Sequence, residues 1–382
     1  MKKILMLVAI AGLCLSAEAA KKKKAAPEPV QPVCTQWTPE QARAWWADKE
    51  WPVGCCFVPS YAVNQFEMWQ DETFNLPVLD KEFGLCEELG FNLVRIYLHE
   101  KLWWADAEGF KKKIDKVLEC CASHGLKVTF TFCTNGGSEQ ELGPQPGPKP
   151  GIHGGGRWCC SPSTEMMNNP ELWPQFKAYL QDILRTYGND DRILYWCLQN
   201  EPENIKKGRD PLEWMKALYQ WAWEVRPSQP LSSPVWQRPG YNGATTKLDE
   251  ILVALGWSDI ITFHCYYGPA ELETFIKMLS RFHRPMVCQE YMGRTLGSTF
   301  EFCMPILKRE KVGALNWGLV EGKCKYRYPW GHKPEQGEPE IWFHSIFWED
   351  YTPWRESEIV FIKAETADKT VAGKKAKYPI DK

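Results

Sequence analysis

Two glutamates stand where a carboxylate is out of place. "YWCLQNEPEN" (195–204) ends an apolar run in Glu201, with Pro202 and Glu203 directly after it, and "PMVCQEY" (285–291) carries Glu290 near the end of another. An unpaired charge is costly where water is scarce. A carboxylate held at the mouth of a buried strand therefore suggests chemistry. Two carboxylates facing each other across a cleft are what cleavage of a glycosidic bond requires. One protonates the leaving oxygen, and the other attacks the anomeric carbon or activates water. Glu201 and Glu290 are remote in the chain, so only the fold can bring them together.

The elements that would do so alternate in texture. Eight short runs rich in Val, Ile, Phe and Tyr read as strands: 52–58, 92–98, 127–133, 192–198, 231–236, 259–266, 285–291 and 312–319. Longer amphipathic runs between them read as helices. "LGFN", "HGLK" and "YGND" place Gly just after the last helical turn, where a helix stops. Continuous apolar strands suit a parallel sheet covered on both faces. Eight such units joined by right-handed crossovers predict an α/β fold, a single (β/α)8 TIM barrel. A doubly wound open sheet is the alternative, but "VPSYAVN" after the first strand lacks a Gly-rich phosphate turn. Two connections are long, 134–169 after strand three and 320–339 after strand eight. Both fall on the barrel face that carries active sites. They bring Trp158, Tyr326, Tyr328 and Trp330. "EIWFHSIFWED" (340–350) reads as a closing helix.

The strand ends carry further polar groups: Arg95 in "RIYL", Asn200 beside Glu201, His264 and Tyr266 in "FHCY", and Trp317 in "NWGL". Taken in order with "LQNEP" and "CQEY", these motifs resemble the retaining (β/α)8 glycoside hydrolases of the cellulase-like superfamily, clan A, and most closely glycoside hydrolase family 5. The likeness spans nearly all of residues 50–350. It implies Glu201 as acid/base, Glu290 as nucleophile, and a covalent glycosyl-enzyme with the two carboxyl groups about 5–5.5 Å apart. Glu201 must then hold a proton near neutral pH, so burial should raise its pKa. Arg95 would keep Glu290 ionised and Tyr266 would orient it. Asn200 would donate to a sugar hydroxyl, Trp317 would floor the ring, and His264 would bond a hydroxyl or hold the acid/base. Asn64, Trp69 and Trp236 are candidates for the rim, with Trp330 from the last long loop. Many relatives carry a His at the end of strand three. Here "FCTNGG" leaves Asn135, so the contacts there are missing or rebuilt by the long loop, with His153 a candidate. No metal or organic cofactor is required, because acid, nucleophile and electrostatic clamp are all side chains.

Composition narrows the partners. The 46 basic and 48 acidic residues nearly cancel, for a net charge of −2. That gives no electrostatic reason to expect nucleic acid or an anionic membrane. The 20 Trp, 14 Tyr and 17 Phe offer flat apolar surfaces for sugar rings, which makes a carbohydrate the expected substrate. A non-catalytic carbohydrate-binding barrel would keep those aromatics but need neither carboxylate. Other chemistries lack their motifs. There is no G-x-S-x-G elbow, and "HEKLW" has Trp103 where a zinc-protease helix needs its second His. "GIHGGG" follows no strand, so it is not read as a phosphate loop.

Residues 1–19 read as a signal peptide, with Lys2 and Lys3, the apolar stretch "ILMLVAIAGLCL" and small residues at a cleavage site. A secreted or periplasmic mature form without membrane insertion is expected. Residues 20–37 read as a Lys/Pro-rich linker, 38–362 as the catalytic domain and 363–382 as a polar, loosely held tail. Leaving out Cys14, 14 cysteines remain, three pairs of them adjacent: Cys55-Cys56, Cys120-Cys121 and Cys159-Cys160. Cysteines inside apolar strands read as buried thiols, and Cys159-Cys160 as the candidate disulfide or reactive thiol.

Overall fold

The computed structural model describes residues 35–134, 136–204, 208–236 and 247–381. Eight strands make one sheet: β1 (Val53–Cys56), β2 (Leu93–Tyr97), β3 (Lys127–Cys133), β4 (Ile193–Gln199), β5 (Leu231–Ser232), β6 (Ile261–His264), β7 (Met286–Tyr291) and β8 (Gly313–Trp317). Their order is β5-β4-β3-β2-β1-β8-β7-β6, and every paired neighbour is parallel. The seam between β5 and β6 is bridged beyond the end of β5. There Val235 N–H donates to Thr262 O at 3.2 Å and His264 N–H to Val235 O at 2.9 Å. The sheet thus forms a nearly closed (β/α)8 barrel, as the alternation of textures predicts. All eight strands lie where expected. Several are shorter than the apolar runs because ladder pairing stops where the chain bends away at the barrel ends.

Helices cover the outside of the barrel. The helix Ala107–Ser123 shows why they form. Asp106 caps its start by accepting from Gly109 N–H, and Phe110, Ile114, Val117, Leu118 and Cys121 are buried at helical spacing. Gly125 ends it at a φ of 68°, which a residue without Cβ adopts freely. Inside the barrel, alternation does the sorting. On β2, Val94 and Ile96 face the outer helices, while Leu93 and Arg95 face inward. Trp46, from the helix Pro39–Trp46, packs against Leu93, Leu194, Tyr195, Val287 and Leu315 and plugs the bottom. Gly54 lies so close to β2 that a Cβ there would stand 1.6 Å from Leu93 O.

Three expectations differ. Residues 340–350 form turns and isolated bridges, held by Phe343 N–H to Arg327 O and Ile346 N–H to Leu319 O, and the last helix is Glu356–Thr366. The tail is tethered: Trp51 N–H donates to Lys369 O, Tyr378 N–H to Glu310, and Val371 is buried. Its helix runs four residues past the expected boundary at 362 because Ile362 and Thr366 are buried. The thirteen cysteines among the described residues are all free. Cys159 and Cys160 are buried and burial pushes both thiols up, so neither suits a reactive role. The expected signal segment and most of the linker lie outside the described residues, as does Asn135. Gln36, at the linker's end, donates to Gly256 O and Ser258 O. Among the described residues no helix is long and apolar enough to cross a membrane.

Glu82, on the helix Leu76–Glu88, fastens the loop after β1 by accepting from Ser60 N–H at 3.1 Å and 3.2 Å. Burial pushes its carboxyl up to about 7 from an ordinary 4.5. The folded state keeps the proton longer than the unfolded chain does. This contribution to stability is therefore whole below pH ~4.5 and is lost as pH rises through about 7. Glu82→Gln, which keeps the acceptor, should stabilise the protein by about 1–3 kcal/mol near pH 8 and by little near pH ~4. Denaturant melts at the two pH values check this.

Candidate active site

The upper half of the barrel interior is organised around Arg95. Its guanidinium is fully buried. Nε donates to Thr131 Oγ1 at 2.8 Å, Nη1 to Glu290 Oε1 at 2.5 Å, and Nη2 to Asn200 Oδ1 at 2.5 Å. The other oxygen of Glu290 accepts from Tyr266 OH at 2.7 Å. Both oxygens of the carboxylate are thus held by donors from different strands or loops. The registry of β7 shifts between Cys288 and Tyr291 against β8, and that of β6 between Phe263 and His264. Such irregularities re-aim side chains at a strand mouth. Here they bring Glu290 and His264 onto the same side of the cavity.

Glu201 follows β4 with a φ of 41°, in the left-handed region that a residue with a side chain rarely adopts. Such strain, of order 1–3 kcal/mol, persists only where the surroundings enforce it. The enforcing contacts are visible. Glu201 Oε1 lies 2.6 Å from His264 Nδ1, and Oε2 accepts from Asn204 Nδ2 at 2.9 Å. His264 Nδ1 is also 3.3 Å from Glu290 Oε2. One oxygen of Glu201, one of Glu290 and the His264 nitrogen lie within 4.8 Å of one another. By distance alone this trio could hold a cation. However, Arg95 already sits at 2.5 Å from Glu290 and would repel one.

The acid/base candidate departs from expectation in its protonation. Burial raises the Glu201 carboxyl, as anticipated. The nearby His264, the Asn204 hydrogen bond and the charge of Arg95 together outweigh burial and hold it below its ordinary value. Desolvation alone does not make Glu201 a reservoir of protons, because its partners stabilise the carboxylate.

Above the carboxylates opens a cavity of about 650 Å³. Asn200, Glu201, Tyr266, Glu290, Trp236, Trp317 and Trp330 all line it, as the sequence suggested. Trp158, Tyr326 and His153 from the long loops line it too. Trp317 packs edge-on to Tyr326 at 5.4 Å and Trp158 at 6.4 Å between ring centres. Two expected rim residues are elsewhere. Asn64 is buried as the cap of the helix Gln65–Trp69, and its amide holds the loop after β3 through Gln145 and Arg157 O. Trp69 is core, with its indole N–H on Tyr97 O. Both are drawn inward by backbone groups that would otherwise lack partners.

Asn204 and His344 are functional candidates the sequence reading missed. Asn204 had a local signal, three residues beyond Glu201. His344 had none, since it enters from a segment that reads as a helix. Its Nδ1–H donates to Met292 O at 2.5 Å, leaving Nε2 buried with no hydrogen-bond partner among the described residues. His153 donates Nδ1–H to Tyr328 O at 2.8 Å. Burial pushes His153 down to about 4 and holds His344 well below its ordinary value, so both are neutral at neutral pH.

No family model matches the chain, and no curated protein matches it. Among solved structures it is similar to a GH5_18 protein from Bifidobacterium longum subsp. longum in complex with Manβ1-4GlcNAc. The TM-score is 0.60 at 12% identity, over 83% of this chain and 78% of the other. A GH5_18 protein from Streptomyces cattleya in complex with GlcNAc gives 0.59 at 12%, over 84% and 80%. The exo-β-1,4-mannosidase Op5Man5 from Opitutaceae bacterium strain TAV5 gives 0.53 at 17%, over 83% and 60%. At these identities the likeness shows the fold, a (β/α)8 barrel.

Replacing Arg95 with Met should destabilise the protein by about 3–5 kcal/mol, because it leaves Glu290 buried without its cation. Adding Glu290→Gln should recover part of that loss. Chemical denaturation of both single variants and the double variant measures the coupling.

Proposed function

We propose that the protein is a retaining glycoside hydrolase with Glu290 as nucleophile and Glu201 as acid/base. The observation that carries this reading is the approach of the two carboxylates within 4.8 Å, between oxygens, at the mouth of one cavity. Retaining enzymes hold the pair about 5–5.5 Å apart, while inverting enzymes leave about 6.5–9.5 Å for a water. Glu290, gripped by Arg95 and Tyr266, is fixed for attack on the anomeric carbon. The proton for the leaving oxygen belongs to the Glu201–His264 contact rather than to an isolated carboxyl. When the glycosyl-enzyme forms, the charge of Glu290 is spent, and the same pair accepts a proton from the incoming water. Asn200, oriented by Arg95, faces the sugar beside the reacting carbon, and Trp317 stacks beneath it.

The loops after β3 and β8 clasp each other through His153 Nδ1–H to Tyr328 O and His332 Nδ1–H to Gly151 O. This wall supports a short site for an oligosaccharide end over an open groove. The mannosyl ligand and the mannosidase among the similar structures make β-mannosides the first substrates to try. The signal read in residues 1–19 supports action outside the cytoplasm.

A panel of aryl glycosides and oligosaccharides, with the anomeric form of the first product recorded, tests the reading. Retained configuration is expected. Inversion would exclude the mechanism, and binding without product from any sugar would favour a non-catalytic barrel. Glu290→Gln should abolish turnover in a folded protein. Glu201→Ala should slow poor leaving groups about 10²–10⁴-fold and activated aryl glycosides far less in the first step, since these need no proton.

A further inference from the structure

Away from the barrel mouth, two outer helices bring together a second set of reactive side chains. Asp80 projects from the helix Leu76–Glu88, Cys120 from the last turn of Ala107–Ser123, and His124 from that helix's C-cap. His124 Nε2 lies 3.1 Å from Asp80 Oδ1, and Cys120 Sγ lies 3.6 Å from the same oxygen. The three atoms fall within 4.8 Å of one another. From these positions the geometry points to a zinc-type cation site formed by Asp80 Oδ1, Cys120 Sγ and His124 Nε2, with water completing a tetrahedron.

Zinc bonds of about 2.3 Å to sulfur and about 2.0–2.2 Å to nitrogen and oxygen put tetrahedral neighbours roughly 3.3–3.6 Å apart. The two separations above are already near those edges, so the side chains need to move little. The backbone is equally prepared. Leu126 N–H and Gly125 N–H donate back to Cys121 O and Ala122 O, which fixes the helix end that carries Cys120 and His124. Asp80 is held opposite by the packing of the two helices.

The group behind His124 fits the same reading. His124 Nδ1 lies 2.8 Å from Glu87 Oε2. A carboxylate there accepts a hydrogen bond from Nδ1–H and leaves Nε2 to bind the metal, the arrangement that orients a metal-bound imidazole. A shallow surface hollow bordered by Asp80, Cys120, Lys116 and Glu119 gives access from solvent. Binding must displace the Cys120 thiol proton and the proton that His124 Nε2 shares with Asp80, both leaving to solvent as the bonds to the metal form. None of these residues touches the cavity that holds Glu201 and Glu290.

Titration of the chelator-treated full chain with Co²⁺, followed by Zn²⁺ competition, tests the site. One cation per chain should bind, with a thiolate-to-cobalt charge-transfer band that Zn²⁺ abolishes. Zn²⁺ should also raise the Tm. Cys120→Ala and Cys120→Ser should each lose the band and the Tm shift while glycoside turnover stays unchanged. Glu87→Gln, which leaves all three donors in place, should weaken binding about 10–100-fold. Absence of a thiolate band in the unaltered protein, or cation binding that survives both Cys120 substitutions at full strength, overturns the proposal.

Discussion

A guanidinium with no access to water lies at the centre of this barrel, and the arrangement above it follows from satisfying that charge. Arg95 has five donor hydrogens in a rigid plane. Inside a low-dielectric interior each must find an acceptor. Thr131 from β3, Asn200 from beyond β4 and Glu290 from β7 accept three of them, and the sulfurs of Cys56 and Cys197, each 3.8 Å away, accept the other two. One cation therefore fixes side chains from three separate strands relative to one another. The cost of burying Arg95 alone would be prohibitive, and so would that of burying Glu290 alone. Together they are tolerable, and the pair leaves a carboxylate that is oriented and facing a cavity.

The second carboxylate is placed by a different kind of force. Glu201 adopts a left-handed backbone conformation that is rare for a residue with a side chain, and His264 with Asn204 holds it there. The two acids thus sit in contrasting environments: one is clamped by a buried guanidinium, the other meets an imidazole and an amide. Contrasting surroundings of this kind set how readily a carboxyl group holds a proton. The neutral histidines His153 and His344 extend the polar wall without adding charge that would disturb either acid.

Much of the fold was legible because it rests on short-range rules. Each apolar run of six to eight residues holds a strand, and each Gly stop ends a helix. Where the reading failed, distant packing had overridden a local pattern. The run 340–350 has the apolar spacing of a helix, yet its backbone pairs with Leu319 and Arg327 instead. Asn64 and Trp69 carry side chains suited to a sugar site, but backbone carbonyls and amides nearby had prior need of their polar atoms.

Sequence alone determined the kinds of groups available at the strand ends: two glutamates, one arginine, a histidine, a tyrosine and a tryptophan, each at the end of an apolar run. Those identities follow from the period of the strand, which is a property of neighbouring residues. Only the tertiary structure decided how near the glutamates come, which atoms of Arg95 and Tyr266 grip Glu290, and that His264 holds Glu201 below its ordinary pKa. Those facts depend on distances across the barrel, where strand registry, two irregular pairings and ring closure act together, and no local pattern in the chain encodes them.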